Sequence, residues 1–170
     1  IDASSDGDTV LVSAGLYYEN INFGNNNLLL QSLSGRDETI IDGLNNGRVF
    51  DGFGGNIDTT TVIDGFTIQN GFAENEHGGG IYSSRAFTLK NCTIQNNTAT
   101  GTSANTQSSS GNGGGIYVEN MLIVDNCIFT NNAANYGCGI FFDNDNGSVV
   151  KNSIFYNNPS FILEDLSISA

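Results

Sequence analysis

The sequence predicts an all-β fold, a right-handed parallel β-helix, and three observations lead to this prediction. Short phrases repeat along the chain, apolar residues alternate over short runs, and Gly or Asn residues separate these runs. Alternation with a period of two is typical of strands, and no stretch of the sequence has sustained helical spacing. Each unit holds about three strands, which cannot bury a face alone, so the units must stack into a continuous core.

Two phrases carry the repeat. The first reads GGGIY twice and GCGIF once, at residues 78–82, 113–117 and 137–141. The second is a nine-residue segment whose four copies align without gaps, at residues 63–71, 89–97, 124–132 and 150–158. Successive copies of this segment begin 26, 35 and 26 residues apart. A propeller blade would need about 40–50 residues and four strands, so a propeller or a β-sandwich is the alternative fold.

The aligned positions predict the environment of each column of residues, in coils that should stack about 4.8 Å apart. Two columns should point into the core: Ile63, Leu89, Val124 and Val150, and Ile68, Ile94, Phe129 and Phe155. Two columns should form bends, because Asn tolerates left-handed backbone geometry: Gly65, Asn91, Asn126 and Asn152, and Asn70, Asn96, Asn131 and Asn157. An exposed column of alternating charge should help to set the register: Asp64, Lys90, Asp125 and Lys151.

The three cysteines give an odd count without a C-x-x-C spacing. Neither a zinc site nor a framework of disulfides is therefore indicated. Cys92 and Cys127 share one column, and we expect them to be buried free thiols that pack as small apolar groups. Cys138 replaces the middle glycine of the third glycine phrase.

The charge of the chain limits its partners. It has 18 acidic and 5 basic residues, a net charge of −13. Such a surface repels nucleic acids and anionic membranes, and it tolerates cations such as Ca²⁺. No apolar run approaches the 18 or more residues of a membrane span, so no span is expected. An acidic surface with few lysines is also common in secreted proteins.

The order of the phrases resembles a known group. GGGIY followed by LKNCTIQNN, and then GGGIY followed by VDNCIFTNN, resembles the pectin-lyase-like β-helix repeat proteins, especially the large secreted or surface-anchored bacterial ones. The likeness to polymorphic outer-membrane autotransporter passengers is looser. The resemblance implies a location outside the cell or on its surface. It implies no single activity, because the group includes lyases, hydrolases and adhesins.

The length, the 35-residue step and the resemblance together predict how the chain is organised. We expect residues 1–170 to form one β-helix domain, which is a segment of a longer protein with open ends. Residues 98–112, rich in Ser, Thr, Asn and Gly, should form an inserted polar loop. An open end exposes unpaired strand edges, so end-to-end assembly into a filament is part of this expectation.

The candidate ligand-binding residues are three aromatic side chains. In lyases of this superfamily the sugar lies along one sheet, and the strand with GGGIY resembles that sheet. If the isoleucines of the phrases point inward, Tyr82, Tyr117 and Phe141 point outward, one per coil. These rings could form a strip that binds glycans. The alternative is a self-stacking ladder that stabilises the sheet by about 0.2–1 kcal/mol per pair.

Candidates for chemistry are few. Arg85 would be the base if the protein were a lyase, and no pair of nucleophile and base is visible. Asp143 and Asp145 have the D-x-D-x-G spacing of a weak Ca²⁺ loop without its distal Glu. His77, the only histidine, is expected to be a turn residue.

Two functions follow from these observations. The first is a non-catalytic extracellular scaffold that serves surface adhesion, glycan contact or filament assembly. The second is a fragment of a polysaccharide lyase or glycoside hydrolase. Such an enzyme would act on an acidic polysaccharide in a groove along the GGGIY sheet.

Overall fold

The computed structural model describes residues 1–101 and 110–159, and every regular element in this part of the chain is a strand. The described residues contain no helix that could cross a membrane. In chain order the strands are β1 (Thr9–Val12), β2 (Gly15–Tyr18), β3 (Ile21–Gly24), β4 (Leu29–Ser32), β5 (Thr39–Asp42), β6 (Phe50–Phe53), β7 (Val62–Asp64), β8 (Thr67–Gln69), β9 (Phe72–Glu74), β10 (Ile81–Ser83), β11 (Phe87–Lys90), β12 (Thr93–Gln95), β13 (Thr98–Thr100), β14 (Ile116–Val118), β15 (Leu122–Asp125), β16 (Ile128–Thr130), β17 (Ile140–Phe142), β18 (Val149–Lys151) and β19 (Ile154–Tyr156).

The strands form three parallel sheets whose neighbours come from successive coils. The first sheet has the order β1-β4-β7-β11-β15-β18, the second β3-β6-β10-β14-β17, and the third β2-β5-β8-β12-β16-β19. Strands β9 and β13 form an additional two-stranded ribbon. The prediction of an all-β parallel solenoid with about three strands per turn is therefore confirmed.

The core columns have the predicted register. Leu89 pairs with Ile63 on one side and with Val124 on the other, and all three side chains are fully buried. In the third sheet, Ile94 pairs in the same way with Ile68 and Phe129. Because each strand alternates between inside and outside, these two columns fill the interior of successive coils.

The column of alternating charge also pairs as expected. Lys90 lies between Asp64 and Asp125, and Asp125 also pairs with Lys151. The Lys151 Nζ atom is 3.3 Å from Asp125 Oδ2, and both side chains are partly exposed. Exposed ion pairs contribute little free energy. A shift of register by one residue would place Lys90 beside Val124 or Asn126 and separate the opposite charges, so the column favours the observed register.

The predicted bends are made by residues with left-handed backbone geometry. All seven asparagines of the two bend columns have φ between 52° and 56°, and Gly65 has φ 83°. Asn is the residue other than Gly that adopts this conformation most readily. The exposed amides also join neighbouring coils, since Asn126 Nδ2 donates to Asn91 Oδ1 at 2.8 Å.

A third asparagine column, which the sequence analysis missed, lies inside the solenoid. It consists of Asn97, Asn132 and Asn158, each directly after a bend asparagine. Asn132 is fully buried, and its Nδ2 donates to the carbonyl oxygen of Ile94 at 2.9 Å and to Asn158 Oδ1 at 3.1 Å. Its Oδ1 accepts from the backbone N–H of Asn97 at 3.1 Å. These side chains satisfy backbone groups that the bends leave without a strand partner.

The glycine phrases allow two segments of backbone to touch. A Cβ atom on Gly114 would lie 2.5 Å from the carbonyl oxygen of Ala133, and one on Gly79 would overlap the carbonyl of Thr98 in β13. Only the first glycine of each phrase needs a positive φ: Gly78, Gly113 and Gly137. In the first two phrases the other glycines are required because a Cβ atom would lie no more than 2.6 Å from a backbone carbonyl oxygen of the neighbouring coil.

Small side chains complete this contact. Ala73, Ala99, Ala134 and Cys138 form a second buried cluster beside the main core. Cys138 Sγ lies 3.4 Å from the carbonyl oxygen of Ala134 and 2.6 Å from that of Pro159. The cluster accommodates a thiol at the position where the other two phrases have glycine.

Part of the expected insertion is a strand rather than a loop. Thr98 of β13 pairs with Phe72 of β9, and Thr100 pairs with Glu74. At the far end of the insertion, Asn112 forms a bridge with Tyr136 in the next coil. Residues 102–109 of the expected loop lie outside the described residues.

Cys92 and Cys127 are buried free thiols, as predicted, but they do more than pack as apolar groups. Cys92 Sγ accepts from the backbone N–H of Phe66 at 3.4 Å and donates to the carbonyl oxygen of Lys90 at 3.0 Å. Ser153 follows Cys127 in the same column. Its Oγ accepts from the backbone N–H of Cys127 and donates to the carbonyl oxygen of Lys151. Cys92 and Ser153 therefore play the same double role in this column, each as acceptor and as donor. Burial raises the pKa of the Cys92 thiol, so this side chain stays protonated.

Cys92→Ser is expected to lower the free energy of unfolding by about 1 kcal/mol or less, because a hydroxyl keeps both hydrogen bonds. Cys92→Val fills a similar volume but leaves the buried N–H of Phe66 without this acceptor, and it should cost about 1–3 kcal/mol. Urea denaturation of the two variants measures the difference. Equal stability of the two variants would show that the thiol contributes only by packing.

Candidate functional site

The three predicted aromatic residues stack along the outer face of the second sheet. Tyr117 pairs with Tyr82 and with Phe141 in the neighbouring strands. The ring centroids are 5.6 Å and 5.3 Å apart, and the planes differ by only 8° and 3°. The ring faces are therefore turned toward one another along the solenoid axis. We call these three residues the aromatic ladder.

The imidazole of His77 covers the middle of the aromatic ladder. Its ring lies 4.3 Å from the ring of Tyr117, with 20° between the planes, and Tyr117 is only 6% exposed. Nδ1 of His77 accepts from the backbone N–H of Asn112 at 3.3 Å. Accepting this hydrogen bond requires a lone pair on Nδ1, so Nδ1 carries no hydrogen and the imidazole is neutral. His77 does lie between β9 and β10, where a turn residue was expected, but its side chain belongs to the candidate site.

Arg48 lies over Tyr82, at one end of the aromatic ladder. Its Cζ atom is 4.8 Å from the ring centre of Tyr82, close enough for a cation–π contact. The guanidinium pairs with Asp51 at 2.8 Å and with Glu76 at 2.6 Å, and its Nε donates to the carbonyl oxygen of His77 at 2.8 Å. Arg48 was not among the site residues predicted from the sequence. The available signal was its place among only five basic residues, shortly before β6 of the second sheet.

Two carboxylates hold the phenol groups. Tyr82 Oη donates to Glu119 Oε1 at 2.5 Å, and Tyr117 is hydrogen-bonded to Asp143. Burial, followed by the contact with Glu119, raises the pKa of Tyr82 to about 12. Burial likewise raises the pKa of Tyr117, with Asp143 and Glu119 adding to the effect. Both phenols therefore remain neutral donors throughout the ordinary pH range.

A groove opens beside Arg48, with strands of the second sheet on one side and β9 of the ribbon on the other. Its volume is about 650 Å³. The polar lining consists of side-chain amides, carboxylates and one guanidinium: Asn20, Asn22, Asn45, Asn46, Asp51, Glu74, Glu76 and Arg48. Phe72 adds an aromatic ring, and since Ala73 points inward, its neighbours Phe72 and Glu74 point toward the groove. We call this cavity the amide groove.

The charge of the amide groove is negative. The guanidinium of Arg48 is already paired with Asp51 and Glu76, so these three groups carry one net negative charge. The carboxylate of Glu74 adds a second. Amides donate and accept hydrogen bonds, and carboxylates accept them. The groove therefore offers many partners to hydroxyl groups, but no unpaired cation to an anionic ligand.

The remaining sequence candidates lie in turns. Arg85 follows β10, where its backbone N–H donates to Ser83 Oγ, and its guanidinium forms no ion pair within the described residues. Asp145 accepts from the backbone N–H of Ser148 and closes the turn before β18, whereas Asp143 contacts Tyr117. In residues 1–101 and 110–159, no three His, Cys, Asp or Glu side chains are grouped so that they could hold a metal ion.

Comparisons with known proteins add no relatives. No protein-family model matches the chain, and no curated protein and no solved structure matches it either.

Proposed function

We propose that this chain is a non-catalytic β-solenoid that binds an uncharged, hydroxyl-rich glycan in the amide groove. The observation that carries the proposal is the lining of the groove, in which four asparagines and three carboxylate residues accompany one half-buried aromatic ring, that of Phe72. Sugar hydroxyls donate to carboxylates and both donate to and accept from amides. Ligand sites commonly combine an apolar surface with a few convergent polar groups.

Arg48 connects the groove to the aromatic ladder. Its guanidinium lines the groove and also lies over the ring of Tyr82. The polar surface therefore continues along the second sheet past Glu119 and Asp143. A site that extends over several coils supports binding of a polymer rather than of a single sugar.

Three broader statements belong to the same proposal. The winding of the solenoid is right-handed, because units that join two parallel strands of one sheet are right-handed in about 98% of cases. The chain is related to the pectin-lyase-like β-helix proteins, which the repeated phrases at residues 78–97 and 113–132 support. The location is extracellular or on the cell surface, as the resemblance implies. End-to-end assembly stays a prediction.

The alternative of a lyase acting on an acidic polysaccharide has less support. Such chemistry needs a base and a positive group that neutralises the uronate carboxylate. Arg48 is occupied by two carboxylates, and Arg85 lies in a turn beyond the end of β10. The negative amide groove would repel a polyuronate.

The proposal is tested by calorimetric titration with two sets of oligosaccharides, one uncharged and one of uronates. We expect the uncharged set to bind and the uronates to bind more weakly. Phe72→Ala should raise the Kd at least tenfold, about 1.4 kcal/mol, because it removes the aromatic surface of the groove. Tyr18→Ala is the matched control, since Tyr18 is an exposed aromatic residue on the third sheet. Absence of binding, a preference for uronates, or equal losses in both variants would overturn the proposal.

A further inference from the structure

His77 has a role that the amide groove does not require. Its ring lies on Tyr117, the central ring of the aromatic ladder, and leaves that residue 6% exposed. Its carbonyl oxygen accepts from Arg48, which lines the groove. The rings of Tyr82 and Phe141 flank Tyr117 along the ladder, so this one imidazole affects the remaining exposure of the middle ring.

The position of the imidazole on Tyr117 depends on its protonation state. Asn112 is fully buried, its carbonyl oxygen accepts from the N–H of Gly78 at 2.9 Å, and its own N–H donates to Nδ1 of His77. A neutral imidazole has a lone pair at Nδ1 for this hydrogen bond, whereas an imidazolium carries hydrogen on both nitrogens. Protonation therefore breaks the hydrogen bond, because the N–H of Asn112 and the new Nδ1–H of His77 then point at each other and repel.

The charged groups around His77 favour a different position for the protonated ring. Arg48 lies on the side of the preceding coil and repels an imidazolium. The carboxylates of Glu76, Glu119 and Asp143 attract one, and they come from the turn of His77 itself and from the turns after β14 and β17. An imidazolium that leaves Asn112 thus has acceptors nearby.

We propose that His77 is a pH-dependent cover of the aromatic ladder. The neutral imidazole lies on Tyr117 and covers this middle ring, whereas the protonated imidazole leaves Asn112, moves toward the carboxylates and increases the exposure of Tyr117. The exposed ring then extends the amide groove along the second sheet. Only this last consequence for ligand binding rests on the proposed function.

The direction of the pH dependence follows from the environment. Burial is the largest cause that lowers the pKa of His77 from its usual value of 6.5, and Arg48 adds to it, while the nearby carboxylates oppose it. The hydrogen bond to Asn112 is therefore fully present above the unfolded value. It is lost as the pH falls through the lowered pKa of the folded protein.

The test uses no ligand. Because His77 is the only histidine, one imidazole resonance in the NMR spectrum reports its titration and its tautomer. Hydroxyl-radical footprinting with mass spectrometry measures the exposure of Tyr117 relative to Tyr18, which is 59% exposed. We expect the Nε2–H tautomer at pH 8, and a rise of the Tyr117-to-Tyr18 ratio of about fivefold or more as the resonance titrates, since a covered ring becomes open.

His77→Phe is the matched variant, because it keeps a flat ring on Tyr117 but cannot be protonated. Its Tyr117-to-Tyr18 ratio should stay low at every pH at which the variant remains folded, as judged by circular dichroism. A ratio that is unchanged while His77 titrates in the native chain would overturn the proposal. An equal rise in His77→Phe, or an Nδ1–H tautomer at pH 8, would also overturn it.

A final titration separates this inference from the proposed function. Affinity for an uncharged oligosaccharide should increase as His77 is protonated in the native chain, but not in His77→Phe. If no oligosaccharide binds at any pH, the proposed function is wrong. The proposal about His77 is then still decided by the footprinting result. If the oligosaccharide binds equally at all pH values although Tyr117 becomes exposed, the link between cover and ligand is wrong.

Discussion

Gly114→Ala is expected to lower the free energy of unfolding by about 3 kcal/mol or more, at the upper end of the usual cost of overpacking. Gly114 is buried, and a Cβ atom there would lie 2.5 Å from the carbonyl oxygen of Ala133 and 2.8 Å from its carbonyl carbon. Both atoms belong to the backbone of the next coil, so they cannot move aside as the end of a side chain would. The two coils must separate, and urea denaturation measures the loss.

Gly24→Ala is the control for backbone strain alone. Gly24 has φ 82°, but a Cβ atom there meets nothing within 4 Å. We expect a loss of about 1–2 kcal/mol, the usual cost of a left-handed conformation in a residue with a side chain. A loss at Gly114 equal to or below that at Gly24 would contradict the conclusion that the glycine phrase exists for close contact.

Asn132→Asp is expected to lower the free energy of unfolding by about 3 kcal/mol or more at pH 7, because each buried polar group left unsatisfied costs about 1–3 kcal/mol. The amide Nδ2 of Asn132 donates to the carbonyl oxygen of Ile94 and to Asn158 Oδ1. A carboxylate would direct an oxygen at these two acceptors in a fully buried position. The loss should be smaller at pH 4, because burial raises the pKa of the introduced carboxyl group and a protonated form can donate.

Asn126→Asp is the matched control, with the same chemical change at an exposed bend. It loses the hydrogen bond from Asn126 Nδ2 to Asn91 Oδ1, which is exposed to solvent. We expect a cost of about 1 kcal/mol or less, because water replaces the lost partner. Thermal or urea denaturation of both variants at pH 7 and pH 4 gives the comparison. Equal losses at the two sites would show that the internal asparagine column does not support the coils.

The fold could be predicted from the sequence because its regularity is local. Strand residues alternate with a strict period of two, so the aligned phrases determine which side chains of each coil face inward. The bends were recognisable since few residues other than Gly and Asn adopt a left-handed backbone. Aligned copies then define the columns, as the pairing of Lys90 with Asp64 and Asp125 shows.

The internal asparagine column could have been predicted from the paired asparagines in the sequence. Three bends carry two consecutive asparagines, at residues 96–97, 131–132 and 157–158. One asparagine is enough for the backbone geometry of a bend. The second one therefore called for a separate explanation, which is the buried hydrogen bonding of its amide. Asn97, for example, donates from Nδ2 to the carbonyl oxygen of Ile68.

The surroundings of the aromatic ladder could not be predicted in the same way. Tyr82, Tyr117 and Phe141 occupy the same position of the glycine phrase, so their stacking follows from the repeat. Arg48 and His77 lie outside both repeated phrases, and their side chains reach the ladder from the irregular segments that precede β6 and β10. Such contacts depend on the path of irregular segments, which no period in the sequence describes. The amide groove depends on the same segments.

The central claim, that the amide groove binds an uncharged glycan, is tested most directly by a crystal structure of the protein with a bound uncharged oligosaccharide. We expect a sugar ring against Phe72, with hydroxyl groups bonded to groove amides such as Asn46 and to the carboxylate of Glu74. An oligosaccharide bound on the outer face of the first or third sheet, with the groove empty, would contradict the claim.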